Sequence, residues 1–219
     1  MKEKVIVFAV HPDDETLGCG GTLLKHKDNG DEIYWVICTS IDKNNEYYKK
    51  RKKEIKKVKK LYGFKKTYDF KLKSTQVDKY SMNKLIKKIS NIINELKPTT
   101  LYLPFMGDVH SDHRKIFEST YSCTKSFRYP FIKKIYMMET LSETEFAPSV
   151  LSAQFTPNRF VDITDYIEFK IDIMKIYESE IKNHPFPRSE KNIRALATFR
   201  GASSGCIAAE SFSILKCIE

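Results

Sequence analysis

Short apolar runs alternate with segments of helical periodicity along residues 1–140, and this alternation restricts the fold of the chain more than any other feature. Residues 4–10 and 33–38 are rich in Val and Ile, as are strands at the centre of a parallel sheet. Residues 16–29, between them, have a helical pattern that ends at Asn29-Gly30. These three segments predict a βαβ unit.

The same alternation continues along the chain. In residues 79–97 the apolar side chains recur at the i, i+3, i+4 spacing of a helix that buries one face. Further helices are predicted at residues 45–62 and 112–125, and further strands at residues 67–72, 99–103 and 134–138. We therefore expect an α/β fold, Rossmann-like, with three αβα layers and a mainly parallel sheet.

The pattern becomes less regular after residue 140. Residues 141–158 contain two prolines and scattered apolar side chains, and a loop of this length is more often a functional lid than a simple connection. A strand at 160–163, a helix at 164–181 and a strand at 210–217 are predicted to follow. A chain of 219 residues suits one domain, residues 1–219, with a Rossmann-like core over 1–140 and an elaboration over the site in 141–219.

Composition excludes some classes of protein. No apolar run approaches the roughly 18 to 20 residues that a membrane-spanning helix needs, so an integral membrane segment is not expected. The five cysteines lie far apart and form no CxxC pair, which argues against a disulfide scaffold. A reducing, cytoplasmic location is the expectation.

Two polar motifs directly follow predicted strands. His11-Pro-Asp-Asp-Glu15 comes after the first strand, and His110-Ser-Asp-His113 comes after the fourth. Open α/β sheets bind their ligands at the carboxyl ends of strands that lie beside the point where strand order reverses. If the first and fourth strands lie near that point, the two motifs meet in one crevice.

Three residues of these motifs suit a metal ion. A catalytic zinc keeps three protein ligands, drawn from His nitrogen and carboxylate oxygen, and leaves a fourth position for water. His11, Asp14 and His113 supply such a set. Zinc, one ion per chain, is preferred on ligand type, although two His and one Asp would also accept Fe(II) or Co(II).

Three neighbouring residues suit the remaining steps of a hydrolysis. Asp13 could take the proton of the attacking water as general base. Protonated His110 would face the charge that develops on a tetrahedral oxyanion, and Asp112 would orient it. The two motifs together therefore predict hydrolysis of an amide or an ester.

These motifs also resemble those of a known family. Val10-His-Pro-Asp-Asp-Glu-Thr-Leu-Gly-Cys-Gly-Gly-Thr22 resembles the opening signature of the PIG-L/LmbE-like zinc N-deacetylases, and His110-Ser-Asp-His113 resembles their second motif. That family includes enzymes that deacetylate N-acetylglucosaminyl-phosphatidylinositol and the N-acetylglucosamine conjugates of mycothiol and bacillithiol biosynthesis. The resemblance implies zinc-dependent removal of the acetyl group from an N-acetylglucosamine-type conjugate, with the same roles for the motif residues as above.

The resemblance extends beyond the two motifs. Arg51-Lys-Lys-Glu54 is similar to an RxxE element of the family, whose arginine often faces the substrate, so Arg51 is a candidate substrate-binding residue. Ala209-Glu-Ser-Phe212 resembles part of the C-terminal pattern. Two departures, Val10 for the usual Ala and Glu180 where Gln is common, concern the substrate and the subfamily rather than the metal ligands.

Glu15 and the glycines that follow it can each be interpreted in two ways. Glu15 is either a partner of the metal site or an acid favoured by the helix dipole in a first turn. Gly18-Cys-Gly-Gly21 departs from the G-x-G-x-x-G nucleotide fingerprint, and close packing of the helix on the sheet explains these glycines better than nucleotide binding does.

The positive charge is concentrated in residues 43–73, which carry 14 basic residues against 3 acidic ones. Such a stretch attracts an anionic substrate or binds nucleic acid, and no recognised nucleic-acid module accompanies it here. We expect a small amino-sugar conjugate as the partner and no nucleic acid, and the sequence leaves homo-oligomerisation open. The alternative functions are a non-catalytic sugar-binding protein and a basic nucleic-acid- or nucleotide-binding protein.

Overall fold

The computed structural model describes residues 2–150 and 154–218. Its strands are β1 (Lys4–Ala9), β2 (Glu32–Ser40), β3 (Lys66–Lys73), β4 (Thr100–Leu103), β5 (Lys134–Met138), β6 (Arg159–Asp162) and β7 (Ala209–Cys217). Its helices are α1 (Asp14–Asp28), α2 (Tyr48–Tyr62), α3 (Met82–Leu96), α4 (Ser111–Tyr121), α5 (Ile167–Met174) and α6 (Glu190–Ser204). None of these helices combines the length and the hydrophobicity that crossing a membrane requires.

The strands form one sheet in the order β3-β2-β1-β4-β5-β7-β6. Strands β1 to β5 pair in parallel, whereas β7 pairs antiparallel with both β5 and β6. Helices α1, α2, α5 and α6 contribute to the core on one face of the sheet, and α3 and α4 contribute to the core on the other. The predicted Rossmann-like, mainly parallel αβα architecture is therefore confirmed.

Strand β1 is buried on both faces, as the apolar composition of its sequence predicts. Val5 and Val7 lie in the core beneath α1, whereas Ile6 and Phe8 lie in the core beneath α3 and α4. All four side chains are fully buried. A continuous apolar run is what a central parallel strand requires, because both of its faces are covered by helices.

The order of the strands reverses between β1 and β4, which are hydrogen-bonded neighbours with Val5 opposite Thr100. The loop after β1 leads to α1 on one face, and the loop after β4 leads to α4 on the other face. A crevice opens at such a point, at the carboxyl ends of the strands. The expected meeting of the two motif loops follows from this topology.

The glycines of α1 allow close packing, as expected. A Cβ atom on Gly18 would lie 2.9 Å from Cβ of Met138 in β5, and one on Gly21 would lie 2.7 Å from Cγ2 of Ile163. Real side chains essentially never approach so closely. Helix α1 is kinked at Cys19, which is fully buried among these contacts.

The C-terminal third differs from the prediction in two ways. The helix expected at residues 164–181 is shorter, since α5 ends at Met174. Helix α6, which was not predicted, begins after Ser189, whose side chain accepts a hydrogen bond from the backbone N–H of Asn192. The irregular segment between α5 and α6 lies across the crevice and is held there by contacts with α1 and α2, described below.

Candidate active site

The structure brings the three predicted metal ligands together where the two motif loops meet. Nε2 of His113 lies 3.4 Å from Nδ1 of His11 and 3.3 Å from a carboxylate oxygen of Asp14. Nδ1 of His11 lies 3.8 Å from the same oxygen. The three ligand atoms therefore surround one point, at the wall of a cavity of about 260 Å³ that His11 and Asp14 help to line.

The carboxylates beside the two histidines fit a metal site. Nδ1 of the buried His113 lies 2.8 Å from Asp108, whose other oxygen accepts a hydrogen bond from Thr144. A carboxylate on one ring nitrogen leaves the other nitrogen free to bind a metal ion. Nε2 of His11 lies 3.6 Å from Asp112, so a carboxylate stands behind this imidazole as well. The donor set of two nitrogens and one oxygen suits a divalent metal ion such as zinc.

The charges in the cluster favour an ionised Asp14 beside a cation. Burial alone would raise the pKa of Asp14, but the adjacent His113 and His11 outweigh it and hold that pKa below its usual range. Burial alone would lower the pKa of His113, but Asp14 and Asp108 outweigh it and raise that pKa well above its usual value. The cluster thus attracts positive charge, and a metal ion would compete with the proton of His113 for this position.

Asp13 has a strained backbone and a buried carboxyl group. Its φ angle is 149°, in a region that residues with a side chain rarely adopt, and such strain costs on the order of 1 to 3 kcal/mol. Burial, followed by the negative charges of Asp14 and Glu180, raises the pKa of Asp13 well above its ordinary value. A carboxylate with a raised pKa is a stronger base, which suits the predicted role of Asp13.

Glu15 holds the strained loop in place. Its buried carboxylate accepts hydrogen bonds from the backbone N–H of Asp13 at 3.1 Å, from Thr16 at 2.8 Å and from Tyr177 at 2.8 Å. Burial raises the pKa of Glu15 to about 7. Of the two interpretations of Glu15, these contacts favour a partner of the site, because the residue it supports is the predicted base.

The expected contact between His110 and the Asp112 carboxylate is replaced by another. The backbone N–H of Asp112 donates to Nδ1 of His110 at 3.1 Å, while the Asp112 carboxylate accepts from the backbone N–H groups of Thr75 and Val77. His110 is the N-cap of α4, and a cap must accept a hydrogen bond, so its Nδ1 carries no proton. Burial lowers the pKa of His110, so the structure favours a neutral imidazole over the predicted protonated one.

Arg51 lies at the wall of the cavity, but its guanidinium already forms hydrogen bonds and ion pairs with other groups of the protein. It donates to the carbonyl of Pro12 at 2.7 Å and to Ser179 at 2.8 Å, and it forms ion pairs with Glu54 and Glu180. Only 7% of its surface is exposed. These contacts indicate that Arg51 positions the loop between β1 and α1, whereas substrate binding by Arg51 stays a prediction.

Sequence reasoning missed two charged residues that line the cavity. Arg188 donates to the carbonyl of Glu180 at 2.9 Å and to Ser142 at 2.8 Å, and its Nε lies 4.0 Å from the Asp13 carboxylate. Glu143 has a buried oxygen without a hydrogen-bond partner among the described residues, and burial raises its pKa to about 7. Both residues belong to irregular segments, and no motif marks them.

Part of the segment expected to form a lid does contact the cavity. Ser142 and Glu143, near the start of residues 141–158, line it. Phe155, near the end of this segment, packs against Phe105 with ring centroids 5.1 Å apart. Residues 151–153 lie outside the described residues.

Comparisons with known proteins identify a family and several relatives of this chain. The sequence model of the PIG-L family, described as GlcNAc-PI de-N-acetylase, matches residues 6–124. Diacetylchitobiose deacetylase of Thermococcus kodakarensis is 25% identical over 216 residues, which cover 93% of this chain and 79% of that protein. A structure of N,N'-diacetylchitobiose deacetylase from Pyrococcus horikoshii with an inhibitor matches with a TM-score of 0.79 at 24% identity, over 98% of this chain and 84% of that one.

The fold is shared with a protein of different chemistry. GalB, the 4-carboxy-2-hydroxymuconate hydratase of Pseudomonas putida, matches with a TM-score of 0.77 at 13% identity, over 100% of this chain and 98% of that one. Likeness of fold therefore does not determine the reaction. The match to the family model spans more than half of the chain and includes both histidine motifs, and on that evidence this protein belongs to the PIG-L family.

Proposed function

We propose that this protein is a metal-dependent hydrolase that removes the acetyl group from an N-acetylglucosamine-type conjugate and releases acetate and the free amine. The observation that carries the proposal is the cluster of His11, Asp14 and His113 beside the buried Asp13. Membership of the PIG-L family and the deacetylase relative from Thermococcus kodakarensis support an N-acetylated sugar as the substrate.

His11, Asp14 and His113 would hold the metal ion, and zinc is the ion that the donor set favours. When bound, such an ion lowers the pKa of a water molecule and polarises the acetyl carbonyl. The chain contributes the orientation of the ligands, through Asp108 on His113.

Asp13 then carries out the proton transfers, and His110 stabilises the charge that develops. Asp13 accepts the proton of the attacking water at its carboxylate and delivers it to the departing nitrogen, because its raised pKa lets it hold a proton between the two steps. His110, neutral and accepting at Nδ1, carries its proton on Nε2, and this N–H would donate a hydrogen bond to the developing oxyanion. Glu15 keeps the backbone of Asp13 in place throughout.

The test is metal-dependent acetate release. The purified protein is treated with a chelator, reloaded with zinc, and assayed for acetate from diacetylchitobiose and several N-acetylglucosamine glycosides. We expect about one zinc per chain, loss of activity on chelation and recovery on reloading. Asp13→Asn should keep the metal and lose activity about 10²-fold to 10⁴-fold.

Asp172→Asn is the matched control, because this carboxylate is exposed and lies outside the cavity. Its rate should equal that of the wild type. Wild-type rates in Asp13→Asn would contradict the assignment of the base. A zinc-loaded protein that releases acetate from none of these compounds would contradict the proposed substrate class.

A further inference from the structure

The basic stretch of residues 43–73 folds around a second cavity, which the proposed reaction leaves unused. This cavity, which we call the lysine groove, has a volume of about 380 Å³ and lies between the loop after β2, helix α2 and the end of β3. The charged residues that line it, apart from Arg51, are Asp42, Lys43, Lys52, Asp69, Lys71 and Lys73.

The lysine groove adjoins the catalytic cavity. The two cavities share part of their lining, namely Pro12, Thr39, Ser40, Ile41 and Arg51. Arg51 therefore forms part of the boundary between them. A ligand that occupied both cavities would therefore contact this shared lining.

The lysines of the groove carry positive charge without acidic partners. Within residues 2–150 and 154–218, none of the four forms an ion pair with a carboxylate, whereas nearby Lys66 lies 2.6 Å from Glu95. The two aspartates of the groove hold backbone turns, since Asp42 accepts from the N–H of Asn44 and Asp69 from the N–H of Lys71. Four exposed ammonium groups against two aspartates make the groove positive.

Strand β3 lies at the edge of the sheet and has a bulge beside the groove. The pairing of β2 with β3 shifts register between Ile37 and Thr39, so that β3 carries an extra residue there. Lys71, at this bulge, has a φ angle of 54°, in the left-handed region that disfavours residues with a side chain. Bulges at sheet edges redirect side chains, and here Lys71 and Lys73 both line the groove.

We propose that the lysine groove binds an anionic group, a phosphate or a carboxylate, on the aglycone of an N-acetylglucosamine conjugate whose acetamido group lies in the catalytic cavity. This inference rests on the proposed function. A cavity of about 380 Å³ has the size of a small-molecule site, whereas a nucleic-acid strand needs an extended surface. The groove thus gives the basic stretch a role in selecting the substrate.

The test compares three substrates: N-acetylglucosamine 1-phosphate, the carboxymethyl glycoside of N-acetylglucosamine and its neutral methyl glycoside. The quantity measured is the ratio of kcat/KM for each anionic substrate to that for the neutral one. We expect a ratio above one in the wild type that falls as salt is added, because exposed charges are screened. The two anionic substrates show separately whether phosphate or carboxylate is preferred.

Variants then locate the effect in the groove. Lys52→Gln combined with Lys73→Gln should lower the ratio about threefold to tenfold, the range expected for removing two exposed charges near an anion. Lys56→Gln combined with Lys60→Gln removes the same charge from exposed positions of α2 outside the groove and should leave the ratio unchanged. Equal ratios in the two double variants would overturn the proposal and assign any preference for phosphate to the metal centre.

A binding measurement separates this proposal from the proposed reaction. Calorimetry on zinc-loaded Asp13→Asn measures the affinity for the same three compounds without turnover, alone and combined with each double substitution. An anion preference that the groove substitutions abolish supports the lysine groove even if the wild type releases no acetate, which would contradict only the reaction. A salt-dependent shift of single-stranded DNA that requires Lys52 and Lys73, without any preference among the three compounds, would overturn the proposal in favour of nucleic acid.

Discussion

The catalytic cavity and the lysine groove are adjacent and share part of their lining, yet their charged groups are held in opposite ways. In the buried cluster behind the catalytic cavity, Asp108 is bonded to His113, and Asp112 is bonded to two backbone N–H groups. In the lysine groove, Lys52 and Lys73 are exposed and form no ion pair within the described part of the chain.

This difference means that charges act in two ways in this protein: buried charges fix the geometry of the site, and exposed charges attract a ligand. Buried, mutually bonded groups lie in a medium of low dielectric constant, where each contact fixes geometry and each lost partner is costly. Exposed ammonium groups are screened by water and salt, so each contributes little and adapts to different ligands. We therefore expect substitutions in the catalytic cavity to act strongly on chemistry, and substitutions in the lysine groove to act weakly on selectivity.

The largest effect is expected from His113→Ala. This removes a buried nitrogen from the metal cluster, so metal content should fall to near zero and acetate release should fall by at least about 10³-fold. His184→Ala, in an exposed turn, is the control and should change neither quantity. Metal analysis of the purified variants decides the outcome, and a full equivalent of tightly bound metal in His113→Ala would contradict the ligand assignment.

A smaller effect is expected from Asp108→Asn, which weakens the support of His113 without removing it. Metal affinity should fall about 10-fold to 100-fold, as is typical when the carboxylate behind a ligating histidine is lost. The chain offers a matched control, because Asp31 lies 2.7 Å from Nδ1 of His26 in the same kind of contact away from the site. Competition with a chelating dye should give wild-type affinity for Asp31→Asn, and equal affinities in both variants would show that Asp108 is only structural.

Arg51 lines both cavities, so its substitution shows whether it acts on the chemistry, as the buried groups do, or on substrate binding, as the exposed lysines do. Because its guanidinium is bonded to Pro12 and Glu180, we expect Arg51→Lys to lower kcat about 10-fold to 100-fold by displacing the loop that carries Asp13. An unchanged kcat with a raised KM would instead support the predicted binding of substrate. Arg194→Lys, which also removes a guanidinium paired with two glutamates, should leave both constants unchanged.

The parts of the fold that could be predicted are those encoded by local patterns. The apolar run of β1 and the helical spacing of α3 depend only on which faces are buried, so both appear in the sequence. Residues 175–189 depend on distant contacts, in which Tyr177 donates to Glu15 and Glu180 pairs with Arg51. No local pattern encodes such contacts, and for this reason the predicted helix at 164–181 was too long.

The candidate site divides in the same way. The two motifs lie in the loops that lead from β1 to α1 and from β4 to α4, so the positions of the strands alone predicted that they meet. The neutral His110 that the structure favours was not expected from the sequence, because the helix was predicted to begin at residue 112, whereas α4 begins at Ser111 and makes His110 its cap. Glu143 and Arg188 reach the cavity from irregular segments, whose path depends on packing rather than on periodicity.

Glu143 is the exception to the comparison, because it lies in the catalytic cavity and yet one of its oxygens has no hydrogen-bond partner among the described residues. Burial raises its pKa from 4.5 to about 7, so the folded protein binds this proton more tightly than the unfolded chain does. Its contribution to stability is therefore complete below pH 4.5 and is lost as the pH rises through about 7.

Glu143→Gln removes this titration, so the stability of the variant relative to the wild type should increase between about pH 4.5 and pH 7.5. We expect a gain of about 1 kcal/mol, below the full value of the shift because the side chain is partly exposed. Urea unfolding of chelator-treated protein at both pH values measures it, and Glu118→Gln, on an exposed face of α4, should show no such change. A pH-independent difference between wild type and Glu143→Gln would mean that the Glu143 carboxyl is ionised in the folded protein, as the exposed charges of the lysine groove are, and the contrast between the two cavities would not extend to this residue.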